Sequence, residues 1–134
     1  MDRERVQAWL DRYVEGWETY DEDVIGELFS EDVEYRYHPA DEPIRGRDAV
    51  VRSWLEPDGN ASERDEPGTF EARYEPWAVD GDRAVAVGES LYFTDASRDK
   101  LEQAFDNCFL LEFDAEGRCR SFTELFVKRS QGES

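Results

Sequence analysis

Lysine, histidine and cysteine are scarce in these 134 residues, and there is no long apolar run. Lys100 and Lys128 are the only lysines, His38 is the sole histidine, and Cys108 and Cys119 are the only cysteines. One histidine and two separated cysteines do not make a typical zinc set. Neither a glycine-rich phosphate loop nor a Gly-x-Ser-x-Gly elbow occurs, so no cofactor and no metal are expected. No stretch approaches the ~20 apolar residues of a membrane span, and the N-terminus MDRERVQ lacks a basic-then-apolar order, which points to a soluble, cytoplasmic protein. Basic residues number 16 against 34 acidic ones, a formal net charge of −18. Such a surface repels phosphate backbones and anionic lipids, which argues against nucleic acid and membrane as partners. An acidic, lysine-poor surface also suits high salt, where screening suppresses self-repulsion, so a halophilic protein is expected; an ordinary acidic protein of low-salt cells is the plainer alternative.

The length is that of a single domain, residues 1–134, able to bury about two thirds of its unfolded surface. Val6, Trp9, Leu10, Tyr13, Val14 and Trp17 recur at helical spacing and predict a long first helix with an aromatic stripe. Asp21-Glu22-Asp23 suits the N-terminus of a second helix, whose buried stripe is Val24, Ile25, Leu28 and Phe29, with Ser30-Glu31-Asp32 ending it. Val33 to Tyr37 alternates as a strand, and His38-Pro39 stops it. A loop from Ala40 to Gly46 leads into a third short helix, Asp48 to Leu55. Residues 56–68, rich in Pro, Gly and acidic residues, read as a flexible loop, with an active-site lid as the second reading. Residues 131–134 read as a frayed tail.

Two long hairpins follow. In the first, Asp80-Gly81 is the turn; with Val79 facing Asp82, Phe70, Ala72 and Tyr74 share an apolar face with Leu91, Glu89 and Val87, and Ala84, Ala86 and Gly88 lie on the other. Pro76 is a candidate bulge. In the second, Asp114 to Gly117 is the turn; with Phe113 facing Arg118, Phe105 lies opposite Phe126, Asn107 opposite Glu124, and Phe109 opposite Phe122. That register sets Cys108 and Cys119 about four rungs, roughly 13 Å, apart, too far for a disulfide. One face is then apolar apart from an amide and a carboxylate placed side by side. A polar pair there must be hydrogen-bonded or used, because an unpaired buried group costs roughly 1–3 kcal/mol.

The order helix, helix, strand, short helix, four long antiparallel strands resembles the nuclear transport factor 2-like superfamily, in its SnoaL-like branch. The residues that carry the resemblance are Tyr13-Val14 through Asp21, Leu28-Phe29-Ser30-Glu31-Asp32-Val33, Pro43-Ile44-Arg45-Gly46-Arg47 and Phe113-Asp114-Ala115-Glu116-Gly117-Arg118, spread over nearly the whole chain. The resemblance implies an α+β fold: a cone-shaped, curved, mainly antiparallel β-sheet wrapped around a long N-terminal helix, with two shorter helices. It also implies a deep ligand pocket and a homodimer through the outer face of the sheet, for which the small residues Ala84, Ala86 and Gly88 are candidates. The scaffold hosts isomerases, dehydratases, cyclases and non-enzymatic binders alike. Compared with ketosteroid isomerase, Tyr13 occupies the place of the oxyanion-stabilising phenol. The general base falls on His38 when aligned by Pro39 and on Tyr37 when counted from Asp32, and the protonated aspartate falls on Phe109. Steroid isomerisation by the family's own constellation is therefore not expected.

The remaining polar set is His38, Glu124 and Tyr13 as catalytic candidates, with Asn107, Glu89, Trp17, Tyr37, Trp54, Tyr74, Phe109 and Phe122 as substrate-binding candidates. An imidazole titrating near neutral pH suits proton transfer beside a carbonyl or hydroxyl. A carboxylate in an apolar pocket has its charged form destabilised, which suits Glu124 or Glu89 to act as acid or to orient His38. Plainer readings stand beside these: His38 as an exposed loop residue, Glu124 paired with Arg12 or Arg36, Glu89 at the sheet rim, and the aromatics as core. Three functions stay open: a cofactor-free isomerase, dehydratase or cyclase acting on a small apolar oxygenated molecule; a non-catalytic carrier of such a molecule; and a dimeric protein-interaction module.

The charge balance makes its own prediction. Thermal melts in low and in multimolar KCl should show a melting temperature that rises with salt, and an unchanged one would remove the halophilic reading.

Overall fold

The structure, a computed structural model, describes residues 1–60 and 64–129. Helix α1 runs Arg3–Thr19, opened by Asp2, whose carboxylate accepts from the Arg5 N–H at 2.8 Å, and closed by Tyr20 in the left-handed region. Its predicted stripe is the buried one, with Val6, Trp9, Leu10 and Tyr13 facing inward. Helix α2, Glu22–Leu28, is capped by Asp21, which accepts from the Asp23 and Val24 N–H groups. Strand β1 then begins at once, Phe29–Arg36. Phe29 is therefore a strand residue rather than the last member of the helical stripe; its extended backbone turns the chain while its ring stays in the core. A two-residue strand β2, Ile44–Arg45, lies inside the expected loop and pairs with Glu34 and Tyr35, and helix α3 is Arg47–Leu55.

Four long strands follow: β3 Phe70–Asp80, β4 Arg83–Phe93, β5 Leu101–Phe113 and β6 Cys119–Lys128. The sheet order is β2-β1-β6-β5-β4-β3, antiparallel except between β1 and β6. The sheet is curved, and its concave face packs on the helices. Trp9 is central to the contact: its indole N–H donates to the Leu28 carbonyl at 2.9 Å, and its ring meets Phe113 edge-on at 5.5 Å. Among the described residues no helix is long and apolar enough to cross a membrane. Both cysteines are free thiols, and Cys119 is fully buried.

The registers differ from expectation in two ways with opposite consequences. In the β5–β6 hairpin, Asn107 lies opposite Phe126 and Phe109 opposite Glu124, a slip of two residues from the predicted pairing. Because side chains alternate with a period of two, every residue keeps its predicted face. In the β3–β4 hairpin, Asp80 pairs with Arg83 around Gly81-Asp82, and a bulge at Trp77, next to Pro76, adds one residue to β3. Beyond the bulge the net slip is one, so Phe70, Ala72 and Tyr74 pair with Tyr92, Ser90 and Gly88. The faces of β4 are exchanged: Ala84 and Ala86 are buried on the inner side and Glu89 faces out. Gly88 is required at its position, because a Cβ there would stand 2.0 Å from the Arg73 carbonyl oxygen and 2.8 Å from the Tyr74 Cα. Of the segments expected to be mobile, residues 61–63 and 131–134 lie outside the described residues. The rest of 56–68 includes a 3-10 turn at Pro57–Gly59 and an anchored Asp65.

Candidate active site

The alternation of β1 and the helical spacing of α1 bring their aromatic residues to a common space. A cavity of about 730 Å³ lies between the concave sheet, the second half of α1 and α3. All six tyrosines of the chain line it: Tyr13 and Tyr20 at α1 and its cap, Tyr35 near the end of β1 and Tyr37 just past it, Tyr74 on β3 and Tyr92 on β4. Trp17 and Trp54 complete the ring walls. Trp17 stacks on Phe70 at 4.1 Å and donates its indole N–H to Asp65 at 3.0 Å, so Asp65 closes one side of the cavity. Tyr20 supports the same closure, its hydroxyl oxygen accepting from the Asp65 N–H at 3.1 Å.

Glu124 of β6 is the acid on the sheet wall of this cavity. Asn107 Nδ2 donates to Glu124 Oε2 at 3.1 Å, which turns the amide so that its Oδ1 accepts from Ser90 Oγ at 3.0 Å. The second oxygen, Oε1, takes no hydrogen bond from the described residues, and no arginine or lysine pairs with Glu124. Burial pushes the carboxyl up to about 7, opposed by the Asn107 hydrogen bond, because the surrounding rings offer little solvation to a negative charge. Burial likewise raises the phenols of Tyr13, Tyr35, Tyr37, Tyr74 and Tyr92, which stay neutral hydroxyls at physiological pH. The charge of Glu124 adds to burial in raising Tyr13 and Tyr35. Tyr37 Oη lies 3.3 Å from Ser53 Oγ, and Ser53 gives its own proton to the Val50 carbonyl, so Tyr37 is the donor in that pair.

Six of the predicted site residues meet at the cavity: Tyr13, Glu124, Trp17, Tyr37, Trp54 and Tyr74. Asn107 stands behind the wall as the partner of Glu124. The others fall elsewhere. His38 is exposed beyond the end of β1, its ring 5.0 Å from Phe126, because the strand's inward alternation selects Tyr35 and Tyr37 and ends before it. Glu89 is on the outer face, bonded to Arg129 at 2.8 Å, as the one-residue slip of β4 dictates. Phe109 and Phe122 are core: both rings pack behind Tyr13, at 5.4 and 5.6 Å. Arg12 is engaged with Glu15 and Glu27, not with Glu124. Sequence reasoning missed Tyr20, Tyr35, Tyr92, Ser90 and Asp65. Tyr35 was accessible from its spacing to Tyr37; Ser90 and Tyr92 were hidden by the bulge. Among the described residues no three His, Cys, Asp or Glu side chains gather as a metal would require.

A carboxyl whose proton is held more tightly in the folded state than in the unfolded one sets a sign. Stability is unaffected below the unfolded value of 4.5, falls as pH rises toward the folded value of about 7, and levels off above it. The loss should approach about 3–4 kcal/mol, at about 1.4 kcal/mol per pH unit. Urea denaturation between pH 4.5 and 8 should show this slope in the wild type and not in Glu124→Gln; equal profiles would mean that Glu124 is solvated.

A family model of the SnoaL-like domain matches residues 10–122. No curated protein matches the chain. Among solved structures, a nuclear transport factor 2-like protein with a cystatin-like fold from Novosphingobium aromaticivorans is similar with a TM-score of 0.65 at 20% identity, over 97% of this chain and 84% of that one. A ketosteroid isomerase-like protein from Kribbella flavida gives 0.63 at 18%, over 99% and 85% of the two chains. A nuclear transport factor 2-like protein of unknown function from Burkholderia xenovorans gives 0.63 at 17%, over 97% and 88%. At these identities the likeness to the solved structures is one of fold, whereas the family match spans most of the sequence: the chain belongs to the SnoaL-like family.

Proposed function

We propose that the cavity binds a small, largely apolar oxygenated molecule and that the protein is a cofactor-free acid–base enzyme, an isomerase, dehydratase or cyclase, with Glu124 as its proton-transfer group. The observation that carries this reading is a single one: a carboxyl in the cavity lining, pushed up to about 7 by burial, with one oxygen held by Asn107 and no hydrogen bond to the other among the described residues. A group with that affinity is populated as base and as acid near neutral pH, the condition under which general acid–base catalysis is most effective. As carboxylate it removes a proton from carbon next to a carbonyl; as acid it returns the proton at another position. The phenols around it are poised to hydrogen-bond the developing enolate oxygen, and their raised affinity for protons makes them donors that do not transfer their own. The ketosteroid isomerase-like neighbour has a name compatible with proton transfer of this kind. His38 has no part in it.

Deuterium incorporation from D2O into cyclic ketones and enones, followed by NMR, tests the reading. The wild type should accelerate exchange for at least one compound, with activity rising as a group of pKa near 7 loses its proton. Glu124→Gln should lower that rate about 10²–10⁴-fold, and His38→Ala should leave it within about twofold. Saturable binding without exchange would replace the enzyme by a carrier.

We further propose that the outer sheet face forms a homodimer. Val85, Val87, Cys108, Leu110 and Leu125 make an apolar stripe across β4, β5 and β6, with Leu110 45% and Leu125 38% exposed. One end carries Arg83 and Arg120 around Glu112, and the other carries Glu89 and Asp106 around Arg129. The first cluster has one excess positive charge and the second one excess negative charge, so a two-fold axis through the stripe sets opposite signs together. Sedimentation should show a dimer at micromolar concentration and a folded monomer for Leu110→Glu; a monomeric wild type would discard the interface.

A further inference from the structure

The walls of the cavity are rings, and its ionisable groups are nearly all of one sign. Tyr13, Tyr35, Tyr37, Tyr74 and Tyr92 surround the space that Glu124 Oε1 faces, and their hydroxyls are neutral. Asp65, held by Trp17, and Glu56 add two further carboxylates to the lining. The one cationic lining residue, Arg52, is exposed at the mouth and shared with the neighbouring groove between α2 and α3. It makes no ion pair with Glu124. An anionic ligand would bring a second negative charge against a carboxyl with no counter-ion. A neutral hydroxyl can donate to Oε1, as the acid–base reading allows, but it leaves an ionised Glu124 without a charge partner. A ligand bearing positive charge resolves both: it supplies the missing counter-ion, and the electron-rich faces of tyrosine and tryptophan attract it. The formal charge of −18 raises the concentration of such ligands near the mouth.

We propose that the ligand of this cavity carries a cationic nitrogen, tertiary or quaternary, on its apolar oxygenated body, with the nitrogen among the tyrosine rings and Glu124 as its counter-ion. The inference rests on the cavity being the ligand site, as proposed above, and narrows what enters it. No covalent step is involved.

Two probes of equal shape separate charge from size: 3-hydroxyphenyltrimethylammonium and 3-tert-butylphenol. Binding of each is measured by calorimetry in 0.5 M KCl, which screens the outer surface. The ammonium compound should bind at least about tenfold more tightly than the neutral one. Glu124→Gln should reduce that preference below about threefold with little effect on the neutral probe. Tyr37→Leu, which changes no charge and removes a ring at the rim, should weaken the ammonium more than the phenol. Equal or tighter binding of 3-tert-butylphenol overturns the cationic ligand and leaves the pocket reading intact. An ammonium preference that survives undiminished in Glu124→Gln removes Glu124 as the counter-ion and also overturns the proposal. If neither probe binds, the cavity fails as a ligand site and both readings fall together.

Discussion

A carboxyl group set among aromatic rings and held by one amide is the constraint on which the interior depends. Asn107 meets Glu124 with its NH2 and Ser90 with its carbonyl, and those two bonds leave one carboxyl oxygen open. Were the amide reversed, its oxygen would oppose the carboxylate, so Glu124 sets the orientation of the amide and the Ser90 hydroxyl, able to donate or accept, follows it two strands away. The concave face tolerates this polar line because it is continuous: Ser90 on β4, Asn107 on β5 and Glu124 on β6 cross the sheet as neighbours. The fold's curvature then matters electrostatically. It surrounds the line with rings rather than water, and burial, not a neighbouring charge, moves the carboxyl to neutral pH.

The rest of the core serves to keep that space open. Trp9, Phe113, Phe29 and Phe122 form a solid aromatic mass near the first half of α1, tied by the Trp9 bond to the Leu28 carbonyl. Tyr13 is where solid core meets hollow, stacked on Phe122 on one side and lining the cavity on the other. Beyond it the helix places Trp17, which leans on Phe70 and holds Asp65 instead of filling the space. One helix thus provides filling and wall in succession, and the change comes at Tyr13.

How much of this was legible in the sequence follows from the parity of the errors. Asn107 beside Glu124 was legible although the hairpin register was wrong by two, because a slip of two moves partners along the strand without moving them through the sheet. Glu89 was misplaced by a slip of one, produced by the single extra residue at Trp77, and the same slip hid Ser90 and Tyr92. A bulge is a backbone event with only a weak residue signature, here Pro76, whose missing N–H disfavours regular pairing. His38 was singled out by its chemistry and by the proline after it, yet the strand ends before it and its ring rests on Phe126 outside the cavity. Composition carried a clue that the spacing arguments did not use: all six tyrosines share one cavity, and a residue with an apolar ring and a polar tip is the type expected at a wall that is neither core nor surface.

The acidic exterior and the buried acid respond differently to their surroundings. Exposed pairs such as Arg45 with Glu34 or Arg98 with Glu71 sit in water, and the Debye length falls to about 3 Å at molar salt, so their contribution and the repulsion among the surplus carboxylates both fade together. Glu124 lies behind rings, where mobile ions do not come between it and its partners, so its interactions are screened much less. A chain with this charge balance can therefore tune its solubility through its surface carboxylates without retuning the proton affinity of its site. The independence follows from geometry: the charges of β4 and β5 point outward at the two ends of the apolar stripe, the inward residues carry the Ser90–Asn107–Glu124 line, and the pleat of the sheet keeps the two sets apart.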